Sequence, residues 1–173
     1  MGNILIVAGL IVIGLLLIMV TLYISMIMRI RGFSRKVYKY KEEKNLINKN
    51  VLIIYQPSKH QTTYKIVENI KEVLNAKGYG YFIHTLTEDV ENYGEYEKVI
   101  FVAPVYFGEI HLEFLKKVMN CKIDNLIMVY NGLNKESNKE DEFVERHIKK
   151  YSKIKLYSED IERVKEFIDG EVK

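Results

Sequence analysis

The sequence predicts an α/β protein: a five-stranded parallel sheet in a doubly wound three-layer sandwich, preceded by one transmembrane helix. Three observations carry this. Residues 4–28 contain no charged side chain. From Val51 onward, short runs of β-branched and aromatic residues alternate with stretches of helical periodicity, which implies right-handed crossovers and a parallel sheet covered on both faces. Charge is unevenly divided: residues 1–50 hold eight Lys/Arg against two Asp/Glu, a net of +6, so with the whole chain at +3 residues 51–173 sum to −3.

An apolar helix over 4–28 rises roughly 37 Å, against a hydrocarbon core of about 30 Å. A cleaved signal peptide starts with basic residues and carries a shorter apolar stretch closed by small residues. This chain starts Met1-Gly2-Asn3, and its run ends Met26-Ile27-Met28-Arg29. Ile6 stands where N-myristoylation requires Ser or Thr. Arg29, Arg31, Arg35, Lys36, Lys39, Lys41 and Lys44 follow the run and no Lys or Arg precedes it, which puts the C-terminal side in the cytoplasm. The expected organisation is an anchor with its basic flank over 1–31, a basic juxtamembrane linker over 32–49, and a soluble domain over 50–173 on the cytoplasmic side of the cell membrane. Phe33, Tyr38 and Tyr40 interleave the charges. That suits attraction to anionic lipid, and it suits equally well charges that only set topology. No Gly-x-x-x-Gly marks the span for helix pairing. The basic excess flanks the apolar run and not the folded domain, which argues against a nucleic-acid partner. A single cysteine, Cys121, excludes an internal disulfide and a Cys-rich zinc site.

Within the domain, residues 51–55 form a strand buried on both faces. Ile66, Val67, Ile70, Val73 and Leu74 outline a helix that ends before Gly78. Residues 79–84 read as a second strand, and 85–96 as an acidic loop with a helical turn. Residues 99–103 read as a third strand stopped by Pro104. Ile110, Phe114, Leu115, Val118 and Met119 make the next helical stripe, and 126–130 a fourth strand stopped at Asn131-Gly132. Phe143, Val144, His147, Ile148 and Tyr151 outline another helix. Residues 154–157 read as the fifth strand, and Ile161, Val164 and Ile168 mark a closing helix with Ser158 as its N-cap.

Ligands of such sheets bind at the carboxyl ends of the strands, where the strand order switches. Three loops lie there. The first, Gln56-Pro57-Ser58-Lys59-His60-Gln61-Thr62-Thr63, is rich in hydroxyls and opens a helix. Hydroxyls beside helix-start amides suit a phosphate, and Thr62 or Thr63 suits plain N-capping of the helix equally well. It is neither a Walker loop nor a Gly-x-Gly-x-x-Gly turn. The second, Pro104-Val105-Tyr106-Phe107-Gly108-Glu109, sets two aromatics after a buried strand, either to stack on a planar ring or to cover the sheet end. The third begins Asn131-Gly132. His60, His84, His111 and His147 lack metal-ligand spacing, so no metal site is expected, and no catalytic residue is assigned.

The loops Ser58-Lys59-His60-Gln61-Thr62-Thr63 and Ala103-Pro104-Val105-Tyr106-Phe107-Gly108 resemble those of the flavodoxin family. The nearer likeness is to the flavodoxin domains related to menaquinone-dependent protoporphyrinogen oxidase, whose first loop resembles Ser-Lys-His-Gly-Asn-Thr. The resemblance spans about residues 50–170 and implies a flavodoxin-like sandwich with FMN as cofactor. It assigns the FMN phosphate to Ser58, Lys59, His60, Gln61, Thr62 and Thr63, and the isoalloxazine to Pro104, Val105, Tyr106, Phe107, Gly108, Asn131 and Gly132. Gln61 stands where the family has Gly, and Thr62 where it usually has Asn. With no Trp in the chain, ring stacking falls to Tyr106, Phe107 or Tyr130. The implied activity is electron transfer, as an FMN-dependent oxidoreductase if it is an enzyme, with a membrane redox protein or a quinone as partner beside the lipid bilayer. Two other readings stand beside it: a cofactor-free fold serving as a membrane-tethered interaction module, and an oxidase of a haem precursor.

Overall fold

The computed structural model describes residues 2–36, 42–44, 50–58, 60–86, 90, 92–105, 110, 112–121, 124–132, 144–146, 148, 151–157 and 160–172. Contacts divide the chain into two units, Met1–Lys36 and Val37–Lys173. The first is one helix, α1 (Gly2–Lys36), which continues past the expected end of the anchor at 31. Its large apolar side chains, Val7 and those from Leu10 to Ile24, are exposed. Among the described residues no helix is long and apolar enough to cross a membrane.

The second unit holds the five expected parallel strands: β2 (Asn50–Tyr55), β3 (Gly80–Thr85), β4 (Lys98–Pro104), β5 (Leu126–Asn131) and β6 (Ser152–Leu156). A sixth, β1 (Glu42–Lys44), lies in the stretch read from sequence as linker. It pairs antiparallel with β3, Glu42 opposite Ile83 and Lys44 opposite Tyr81. Three charged residues carry no apolar pattern, so only the open edge of β3 reveals this strand. The sheet order is β1-β3-β2-β4-β5-β6. Connections from β2 lead to β3 on one side, and the return passes to β4 on the other. The strand order therefore switches between β2 and β4.

Alternation along the strands builds two cores. Val51, Ile53 and Tyr55 face α2 (Thr62–Ala76) and α4 (Arg163–Glu171), which contribute Ile66, Val67, Ile70, Leu74, Val164 and Ile168. Leu52 and Ile54 face α3 (Leu112–Asn120), together with Val144 and Ile148 of a further helical stretch. Helix α2 closes as expected before Gly78, whose φ of 75° admits the left-handed turn. Tyr79 N–H donates to Leu74 O and Gly78 N–H to Asn75 O, which satisfies the last carbonyls of the helix. Several expectations differ: Ile110 is buried but precedes α3, and Tyr151 lies at a bend and not in a helix. Met119 is 61 % exposed and lies off the buried stripe of α3. Helix α4 begins at Arg163 with Glu162 at its N-cap position, and Ser158, expected there, lies outside the described residues.

Candidate functional site

The chain leaves β2 with its ladder still engaged, as Gln56 N–H donates to Val102 O of β4 at 2.9 Å. Pro57 and Ser58 follow, and a tight turn closes when Gln61 N–H donates to Ser58 O at 3.1 Å. Gln61 has φ 57° and ψ 16°, and among the described residues it is the one non-glycine with positive φ. That conformation turns the chain into α2, whose first bond runs from Lys65 N–H to Gln61 O. No side chain at Gln61 caps the helix. The cap comes from upstream: Ser58 Oγ accepts the N–H of Thr63 at 3.2 Å. The expectation that Thr62 or Thr63 would cap α2 is thereby corrected, because the αL turn carries Ser58 over the helix start.

Ser58 is 7 % exposed, Thr62 half-buried, and His60 and Gln61 exposed. Thr63 is fully buried, and its Oγ1 has no hydrogen-bond partner. At the neighbouring strand ends, Pro104 and Val105 are buried, Val105 N–H donates to Asn131 O, and Gly132 N–H donates to Leu156 O. Asn131 Oδ1 is buried without a partner. Tyr130, one of the three aromatics expected to stack, is 5 % exposed and belongs to the α3-side core. Lys59, Tyr106, Phe107 and Gly108 lie outside the described residues. The structure thus gathers Ser58, Thr62, Thr63 and the start of α2 at the carboxyl end of the sheet, on the side where β4 and β5 end.

The donor set fits a phosphate. Ser58 Oγ uses a lone pair on Thr63 N–H and keeps its own hydrogen, Thr63 Oγ1 has a hydroxyl hydrogen to give, and the positive end of α2 faces the same loop. Residues 52–168 match the flavodoxin domain family. The chain belongs to that family. The flavodoxin domain also shares its fold with oxidised Flavodoxin 1 of Bacillus cereus, at 16 % identity and a TM-score of 0.53 over 71 % of this chain and 97 % of that one. A short-chain flavodoxin associated with a non-canonical PDU bacterial microcompartment aligns at 17 % identity and a TM-score of 0.56, covering 72 % and 97 %. The Fusobacterium nucleatum flavodoxin bound to flavin mononucleotide aligns at 19 % and 0.53, covering 70 % and 96 %. No curated protein matches the sequence.

Gln56 opens the first loop and has no role assigned to it from sequence. It is 1 % exposed, and its Oε1 is buried without a partner. A polar residue directly continuing a buried strand is the signal that marks it.

Proposed function

We propose that the chain is a membrane-anchored cytoplasmic flavodoxin that binds FMN and exchanges electrons with a membrane partner, a quinone or a membrane redox protein. The observation that carries the cofactor is Gln61. A non-glycine side chain held in the left-handed region is strained, and such strain collects at ligand clamps. Here it shapes the loop in which Ser58 and Thr63 meet the start of α2. Bound FMN would supply the electron-transfer chemistry. The chain's own part is to bind and shield. Ser58 and Thr63 hydroxyls donate to the phosphate, the α2 dipole favours its charge, and buried Pro104 and Val105 close the sheet end to water. Tyr106 or Phe107 offers a face for the ring. The Fusobacterium nucleatum neighbour, which is bound to flavin mononucleotide, supports the same cofactor here.

Membrane attachment rests on the uncharged run 4–28 and the basic residues after it. Its test is a cysteine at Lys173. Impermeant thiol reagents should leave it unlabelled in intact cells, with no background from Cys121, which is fully buried. Labelling would reverse the orientation. The first-loop likeness to domains related to protoporphyrinogen oxidase makes a protoporphyrinogen the first substrate to assay with the loaded protein.

Burial of Thr63 and the absence of any Trp to stack on a ring favour a second reading, a cofactor-free interaction module. FMN titration decides between the two. Quenching of flavin fluorescence supports the first. No quenching at high micromolar FMN, by either the native chain or Gln61→Gly, leaves the interaction module.

A further inference from the structure

Gln56 stands at the switch of strand order. Its N–H closes onto Val102 of β4, it precedes Ser58 by two residues, and its carboxamide oxygen is buried with nothing to bond. A buried acceptor left unbonded destabilises the fold that holds it, and native proteins keep few. Chemistry narrows the occupant. A phosphate offers mainly acceptors, so it matches the hydroxyls of Ser58 and Thr63 and not a carbonyl-type oxygen. Gln56 Oε1 needs an O–H or N–H donor. In FMN the hydroxyls of the ribityl chain adjoin the phosphate, as Gln56 adjoins Ser58.

We propose that Gln56 is a ligand-binding residue of this flavodoxin domain, its Oε1 accepting a hydrogen bond from a polyol hydroxyl next to the phosphate of FMN. The assignment rests on the FMN reading above. It has a signature that a purely structural residue lacks: the same substitution raises the stability of the apo protein and lowers its affinity for cofactor.

The test uses the full chain and Gln56→Met, which keeps the length of the side chain and removes its polarity. The apo variant should melt several °C higher, because the orphaned oxygen is gone. Its FMN dissociation constant should rise roughly two- to tenfold, the weight of one neutral hydrogen bond. Inorganic phosphate should raise the melting temperature of both proteins equally, since Ser58 and Thr63 are untouched. Gln56→Asn, which withdraws the carboxamide by one bond, should weaken FMN binding without raising the apo melting temperature, and it serves if the Met variant fails to fold. Unchanged FMN affinity in both variants overturns the assignment and leaves Gln56 a structural orphan. Loss of phosphate protection alongside FMN affinity overturns the hydroxyl contact. Failure of the native chain to bind FMN is a separate result that sinks the proposed function itself.

Discussion

Replacing Gln61 by Gly should stabilise the protein. Gln61 holds φ 57°. For an L residue with a side chain, the left-handed region costs roughly 1–2 kcal/mol. Its side chain is exposed, so truncation removes no buried surface. Glycine recovers the strain but loosens the unfolded chain by about 0.4–1 kcal/mol. The net gain is about 0.5–1 kcal/mol, or a rise of roughly 2–4 °C in the melting temperature of a unit this size. Gln61→Ala is the control, because it keeps the Cβ and hence the strain, and it should stay within about 0.5 kcal/mol of the native chain. Urea unfolding of the three proteins measures the ranking. If Gly destabilises by about 0.5–1 kcal/mol, as at an ordinary right-handed position, the αL turn and the strain built on it are wrong.

Ser58→Ala should cost about 0.5–1.5 kcal/mol, since the Thr63 N–H loses its acceptor; denaturant midpoints equal to native would remove Ser58 as the cap of α2. A chain beginning at residue 50 should be about 1–3 kcal/mol less stable than one beginning at residue 37, because β1 no longer closes the β3 edge, and identical urea midpoints would make β1 dispensable. The Lys165 ammonium is raised above its ordinary 10.5 by Glu72 and Glu162, and the Glu162 carboxyl is lowered below 4.5, chiefly by the Lys165 bond. Their contribution is complete between those values. It is lost as pH falls from 4.5 through the lowered pKa of Glu162, and as pH rises from 10.5 through the raised pKa of Lys165. Both groups are at the surface, so Lys165→Met should flatten a small, salt-sensitive slope in the melting temperature at each end of the pH range. An unchanged profile would show that the pair adds nothing to stability.

Strand runs such as Val51-Leu52-Ile53-Ile54-Tyr55 declare themselves in sequence, because a strand buried on both faces must be apolar throughout. Gly78 declares the end of α2, because only glycine takes that turn without strain. That the five strands run parallel follows from their alternation with helices and the handedness of crossovers, whereas which strand neighbours which is decided by the packed sheet. Composition alone separated the uncharged run 4–28 from the domain. Other features depend on what the rest of the chain presents. Strand β1 is three charged residues and exists through the open edge of β3. Capping of α2 went to Ser58 and not to Thr62 or Thr63, because the left-handed Gln61 folds the upstream chain back over the helix start. Tyr130 reads as a stacking ring in one dimension and is a core residue in three, since strand parity turns it under α3. Gln56 has the composition of a loop and the burial of a core position. Periodicity reports which face a residue takes, and only the packed sheet edge decides whether a polar group on that face finds a partner.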